Sequence, residues 1–387
     1  MRIAIVSDLY PYAWAGSEEL WAALAARALE EGHQVGLYLT RTEVPQGKID
    51  PLLAKGLEFQ PAKWRGARGL EWVRGRVSWK LASALAPLWS PLAHIRRFAP
   101  DVVFFSCGQA PPDGEYLKEW NRIGVTGFPY AVVSHNAHLL GVPRSEHQRE
   151  VAAEFFGRAS RVLFTSERVH QYAEHLMAAQ IARYGIVRDP FNLTDTSAMP
   201  MPAGEPVRIA CVGRLQIPGK GQDLLLAALG SPEFRAREWR LSIFGTGPHG
   251  EYLRDLAAHY GIAERVEFRG QVSDVRAIWA DHHILALPSR NESAPLVVKE
   301  AMLCGRPCLA TDVGLVSEWI TEPETGFIAE SAEIPCLRRG LERAWRAIPE
   351  WAEMGARAHE KAMSLIDPDP GGTVLRILEE VRAQRGG

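Results

Sequence analysis

What most limits the folds open to this 387-residue chain is an alternation of short, almost unbroken apolar runs with longer helical stretches. Such runs fill 2–8, 34–40, 101–107, 130–136 and 161–166. A strand that is apolar on nearly every residue needs cover on both faces, which a parallel sheet between two helical layers provides. The pattern breaks at a Pro-, Thr-, Ser- and Asp-rich stretch from 188 to 206. It restarts at 207–212, 239–244, 265–269, 284–288, 307–311 and 326–329. The expected architecture is therefore α/β, with two doubly wound, Rossmann-like domains in series. The first spans 1–190, a linker 191–206 and the second 207–365. A last segment, 366–387, packs back towards the first domain.

Composition narrows the function class. A formal charge of −2 gives no general case for binding nucleic acid, and 47% hydrophobic content with 26 prolines and 34 glycines is that of a globular protein. The apolar run at the start is too short for a signal peptide, and no run of ~18 apolar residues follows that could span a bilayer. Five cysteines, none in a C-x-x-C pair, read as buried thiols in a reducing cytoplasm.

Chemistry concentrates after the strands of the second domain. The stretch from Pro288 to Pro307 reads as a strand end, a polar loop and a helix over 294–304, with Pro295 in its first turn and Gly305 as its stop. A helix start leaves N–H groups unpaired and carries partial positive charge, which suits a phosphate or a sugar. Glu292 stands at that opening. Glu300 follows two turns later, rotated by roughly 80° if the helical pitch holds throughout. A solvated helix with two ordinary glutamates accounts for the same letters. Upstream, Gly213-Arg214 and then Gly219-Lys220-Gly221 place two cations in a glycine-rich loop after a strand, as a departing diphosphate requires. The loop lacks the Walker A spacing.

Gly245, Gly247 and Gly250 match G-x-G-x-x-G, with Glu267 further on, so an NAD-dependent oxidoreductase is an alternative. Against it, Glu267 lies inside its strand and the motif follows the second strand of its domain. In the first domain, Gly16 and a capping Ser17 open a helix over 17–31, and His135 closes an apolar strand. Each has an ordinary turn or loop role as its alternative. His282-His283 reads as structural. Asp367-Pro368-Asp369, set between prolines and away from any strand, is rejected as a metal site, and no metal is expected.

The segment Lys63 to Arg97 carries eight Lys or Arg against Glu71 alone, with Trp64, Trp72, Trp79 and Trp89 interleaved. It reads either as a helix with a solvated basic face or as a contact for an anionic membrane surface, where indoles and cations both gain.

Together these stretches resemble the retaining nucleotide-sugar glycosyltransferases of family 4, over nearly the whole chain. The specific block runs from Glu292 to Gly305 and on through Ala310-Thr311-Asp312-Val313-Gly314 and Thr325-Gly326-Phe327. The first block departs: the family usually has two adjacent glycines where this chain has Ala15-Gly16. The resemblance implies the GT-B fold, two facing Rossmann-like domains with parallel sheets and a cleft between them. It implies metal-independent hexosyl transfer, with retention and no cofactor, from a nucleoside diphosphate sugar to a glycan, lipid-linked or small-molecule acceptor. Glu300 would bind the ribose and Glu292 the sugar hydroxyls. Arg214 and Lys220 would neutralise the diphosphate, with backbone approach at Gly213, Gly245 and Gly247 and N–H groups from Gly16, Leu296 and Val297. His135 would touch the sugar. Relatives often carry glycine where this chain has Pro295, which removes one donor. The implied location is cytoplasmic, at or near the inner membrane face. A non-catalytic sugar-binding partner protein is the remaining alternative.

Overall fold

A computed structural model describes residues 1–7, 14, 16–39, 46–60, 93–108, 117, 120, 127–136, 145–191 and 193–384. The chain divides into two compact units, one of Met1–Pro190 with Asp367–Gly387, the other of Phe191–Ile366.

The first unit holds a seven-stranded parallel sheet of β1 (Arg2–Ser7), β2 (Gln34–Leu39), β3 (Glu58–Gln60), β4 (Val102–Cys107), β5 (Tyr130–Ser134), β6 (Arg161–Phe164) and β7 (Tyr184–Ile186). Its order is β3-β2-β1-β4-β5-β6-β7. The near-continuous apolar runs exist because alternate residues feed opposite faces. Val103 and Phe105 join Trp120 and Phe155 on one side, with the Phe105 and Trp120 rings 4.4 Å apart. Val102 and Phe104 join Trp21 and Leu24 on the other. The helix Pro370–Ala383 adds Val374, Leu375 and Leu378 to this second core. It approaches the Gly16–Glu30 helix so closely that a Cβ on Gly371 would lie 2.4 Å from the Ala23 carbonyl oxygen. Asp369 caps its start, accepting from the Gly372 N–H at 2.9 Å. The D-x-D pattern thus has a capping role. Ser17 is not a cap: the helix already includes Gly16, so Ser17 lies inside its first turn.

The second unit repeats the grammar with β8 (Val207–Val212), β9 (Trp239–Phe244), β10 (Val266–Gly270), β11 (Ile284–Leu287), β12 (Cys308–Thr311) and β13 (Gly326–Ala329), all parallel, in the order β10-β9-β8-β11-β12-β13. Ile209, Leu241 and Ile243 face one core; Ala210, Leu285 and Leu287 face the other. Residues 191–206, read above as a linker, belong to this unit. Phe191, Leu193 and Met199 pack on its core. Fully buried Arg306 gives its Nη1 to the Met199 carbonyl (3.0 Å), its Nη2 to that of Pro200 (2.7 Å) and its Nε to that of Trp279 (2.8 Å). Burial without a carboxylate partner among the described residues pushes its pKa down to about 10. Among the described residues no helix is long and apolar enough to cross a membrane.

Candidate functional site

In a doubly wound sheet the chain runs outward in both directions from one point, and loops there diverge to leave a crevice at the strand carboxyl ends. In the second unit that point lies between β8 and β11. The loops after these two strands, 213–221 and 288–295, are stitched together by backbone. The N–H groups of Arg290 and Asn291 both donate to the Gly219 carbonyl, at 2.9 and 3.1 Å. Gly221, at φ 63°, passes so near β11 that a Cβ would sit 2.1 Å from the Pro288 carbonyl oxygen. Arg290 clamps the same junction with a two-pronged bond to Asp223, 2.7 Å on each prong, which raises the guanidinium pKa.

Across this seam Lys220 Nζ meets Glu292 Oε1 at 2.5 Å, and Ser289 Oγ donates to the same oxygen at 2.8 Å. Their side chains are 24% and 11% exposed, so the pair is sheltered yet open at one edge. Arg214 is exposed on the same loop. The helix that follows runs Leu296–Leu303, shorter than expected at both ends, and Pro295 is its cap, its carbonyl accepting from Val298 at 3.0 Å. Glu292 therefore lies in the loop ahead of the helix, and the 80° rotation relative to Glu300 does not apply. Glu300 is on the helix and 5% exposed. Leu296 and Val297 supply first-turn N–H groups, which have no partner within a helix. The loop after β12 closes the far side, where Leu315 N–H donates to the Ser293 carbonyl at 2.8 Å.

The glycine fingerprint has its own structural cause. Gly245, at φ 122°, would place a Cβ 2.2 Å from the Gly213 carbonyl oxygen, and Gly247 would place one 2.5 Å from that of Leu215. Two backbone bonds, Gly213 N–H to Phe244 and Leu215 N–H to Thr246, at 3.0 and 2.9 Å, hold the loops after β8 and β9 in direct contact. Glu267 sits on edge strand β10, where Arg269 pairs with it at 2.9 Å.

In the first unit the expected residues are held differently. Gly16 begins its helix at the carboxyl end of β1 and is half-buried. His135, expected to reach outward, is 3% exposed. Its Nδ1 lies 3.0 Å from Asp189 Oδ1 and its Nε2 3.3 Å from Ser106 Oγ. Glu18 is likewise buried, accepting from Ser7 Oγ at 2.9 Å and from the Trp21 indole at 2.8 Å. Sequence reasoning missed Ser106, Asp189, Glu18, Ser289 and the Arg290–Asp223 clamp. Polar residues at the ends of apolar strands were the available signal for Ser7, Ser106 and Ser289.

Of the basic, tryptophan-rich segment, residues 63–92 lie outside the described part; Arg96 and Arg97 are on the helix Ala93–Phe98. All five cysteines are buried free thiols, and burial pushes Cys304 up to about 11 and Cys211 to about 12, which makes them poor nucleophiles. His282 and His283 sit inside the second unit, His283 Nδ1 accepting from the Arg208 N–H at 3.0 Å.

Residues 206–346 match the family model described as Glycosyl transferases group 1. Over 140 residues the chain is 34% identical to the GDP-mannose-dependent alpha-(1-6)-phosphatidylinositol monomannoside mannosyltransferase of Mycolicibacterium smegmatis, covering 33% of this chain and 36% of that one. It is 36% identical over 171 residues to the D-inositol 3-phosphate glycosyltransferase of Gordonia bronchialis, covering 40% and 37%. The match thus spans little more than a third of either relative. Among solved structures, Anabaena Alr3699/HepE in complex with UDP superposes with a TM-score of 0.74 at 17% identity, over 98% of this chain and 100% of that one. WaaG, a glycosyltransferase involved in lipopolysaccharide biosynthesis, superposes at 0.68 and 16%, over 98% and 99%. The chain therefore has the GT-B fold, and its residues 206–346 are similar to the group 1 glycosyl transferases.

Proposed function

We propose that this protein is a retaining glycosyltransferase that moves a hexosyl group from a nucleoside diphosphate sugar to a glycan, lipid-linked or small-molecule acceptor. The observation that carries the reading is the Lys220–Glu292 pair at the switch point of the second unit, beside a helix start and inside the matched segment. Support also comes from the relatives named above, a mannosyltransferase and a glycosyltransferase, and from a structural neighbour solved with UDP.

The reaction breaks the bond between the anomeric carbon and a phosphate oxygen, and negative charge builds on the diphosphate. Lys220, Arg214 and the Leu296 and Val297 N–H groups are assigned to that charge, where preorganised donors are worth most. Glu292 is assigned to the sugar hydroxyls and Glu300 to the ribose. Gly213, Gly245 and Gly247 let the backbone approach the nucleotide. The acceptor hydroxyl forms the new bond on the face that the diphosphate leaves, and its proton passes to the departing phosphate oxygen. Configuration is thereby kept without a protein-bound intermediate. Because side chains and helix dipole carry the leaving-group charge, no metal is assigned to the reaction.

The test starts with thermal-shift and calorimetric titration of the full chain against UDP, GDP, ADP and dTDP sugars, since a nucleotide that binds the native state stabilises it. Radiolabelled transfer with the best donor follows, with and without EDTA. Saturable donor binding and EDTA-resistant transfer, with the anomeric configuration kept by NMR, are expected. Binding of NAD instead, or transfer that needs an added metal, overturns the reading.

A further inference from the structure

We infer that Arg290 and Asp223 are positioning residues: together they lock the joint at Gly221 and so aim the Lys220 amine at Glu292. The inference rests on the role assigned to Lys220 above and extends it to two side chains that act through the lysine.

Lys220 ends one short helix, Ile217–Lys220, and Gln222 begins the next, Gln222–Leu229. Gly221 alone stands between them, in the left-handed region at φ 63°, so the two helices meet at a single conformationally permissive residue. Arg290 spans that joint. On one side its Nη1 donates to the Ile217 carbonyl at 2.8 Å, and on the other Nη1 and Nη2 hold the two Asp223 carboxylate oxygens at 2.7 Å each. Its own backbone N–H reaches the Gly219 carbonyl at 2.9 Å. Anchors at 217, 219 and 223 thus bracket Lys220.

Backbone bonds already join the two loops, so what the side-chain clamp adds is direction. A lysine amine rides on a flexible four-carbon stem, yet Nζ lies 2.5 Å from Glu292 Oε1. The target is fixed independently, because fully buried Ser289 donates to that same oxygen at 2.8 Å. Where the amine points then depends on the backbone from which it starts, and the clamp sets that backbone. The task suits a planar guanidinium, whose fork takes both carboxylate oxygens while one nitrogen also reaches a carbonyl. The Arg290 and Asp223 side chains are 31% and 20% exposed, and ion pairs this open to water add little to folding stability. Placement is the larger effect, since an error of about 1 Å can cost about 100-fold in rate.

Competitive acetylation of the full chain with trace acetic anhydride, read by mass spectrometry, reports the placement without any substrate. An amine held against a carboxylate is shielded. Lys220 is therefore expected to label roughly 3- to 10-fold faster in Arg290→Lys and in Asp223→Asn than in the unmodified protein. Lys55, paired with Glu30 in the first unit, should label at one rate in all three. Arg290→Lys keeps the charge and loses the fork; Asp223→Asn alters one partly exposed group and stays folded even if the arginine variant does not. With the best donor, each is expected to lower kcat/KM for sugar transfer by ~10- to 100-fold. In a Lys220→Ala background the same substitutions should cost less than ~2-fold, because nothing is left for the clamp to aim. Lys220 labelling at the unmodified rate in both variants, or an equal loss of transfer with and without Lys220, overturns the inference. Absence of any transfer by the unmodified protein would instead overturn the function proposed above, and the labelling would still decide the clamp.

Discussion

The two units share one strand order about their first strand, yet treat the polar groups at the carboxyl ends of their strands in opposite ways. In the first unit these groups turn inward and lie against one another. Ser106, His135 and Asp189 form a chain of contacts at 1%, 3% and 7% exposure, and Ser7, Glu18 and Trp21 form another. In the second unit backbone holds backbone, through Gly213, Gly219, Gly221 and Gly245, and Lys220, Glu292 and Arg214 keep their charges open to solvent. One scaffold can therefore spend its strand-end residues on stiffness or on a ligand. On the function proposed above, the contrast gives donor chemistry to the second unit and framework to the first.

The sharpest way to break that contrast is to remove charges from each side. Lys220→Ala is expected to lower kcat/KM for sugar transfer by ~100- to 1000-fold, the usual effect of losing one preorganised donor to a developing oxyanion. Far-UV circular dichroism should be unchanged, because Glu292 keeps Ser289 and an edge open to water. Glu300→Ala is expected to raise KM for the donor more than it lowers kcat. Steady-state kinetics on both variants check this, and full activity in both would sink the assignment.

A second test exchanges function for stability. Gly245→Ala forces a Cβ into the 2.2 Å gap at the Gly213 carbonyl from a backbone conformation that alanine rarely adopts. A loss of roughly 2–4 kcal/mol in urea unfolding is expected, larger than that from Gly219→Ala, where no atom lies within 4 Å of the added carbon. Equal losses would mean that the loops after β8 and β9 are not held by this contact.

How much of this was legible follows from the range over which each feature is determined. Strands β8, β9 and β13 were read to the residue, since each is a local apolar run. The β3 and β7 strands, three residues each at the sheet edges, were missed because so short a run carries no period. The linker reading at 191–206 failed for a reason of the same kind: Arg306, a hundred residues away, supplies the hydrogen bonds that absorb a segment with no periodicity of its own. Lys220 and Glu292 were each identified by their loops, but 72 residues separate them, and only the meeting of β8 and β11 makes them a pair. His135 was placed correctly at a strand end, while its inward rotation depends on Asp189, whose position no local pattern encodes.

Removing the framework carboxylate on the other side of the comparison should act on stability first. Asp189→Asn leaves the His135 ring without its charged neighbour and is expected to cost about 1–3 kcal/mol. Transfer should fall by less than in Lys220→Ala. A loss of activity as large as that of Lys220→Ala, with unchanged unfolding, would move His135 and Asp189 from framework into the chemistry.

The smallest expected effect concerns pH and separates the two units once more. Burial holds His282 and His283 below the ordinary imidazole value of 6.5, and the nearby Arg208 charge adds to it for His283. Neutral His283 also accepts the Arg208 N–H, a bond that protonation of Nδ1 would remove. Between their lowered folded values and 6.5 the unfolded chain binds more protons than the native one, so stability rises with pH through that window and falls on acidification. Urea unfolding at pH 7.5 and 5.5 should show the second unit losing stability at the lower value. A variant with His282→Asn and His283→Gln, whose amide oxygen can still accept from Arg208, should show a shallower dependence. An unchanged slope would mean that other groups carry the titration and that the two histidines are protonated as readily in the native unit as in the unfolded chain.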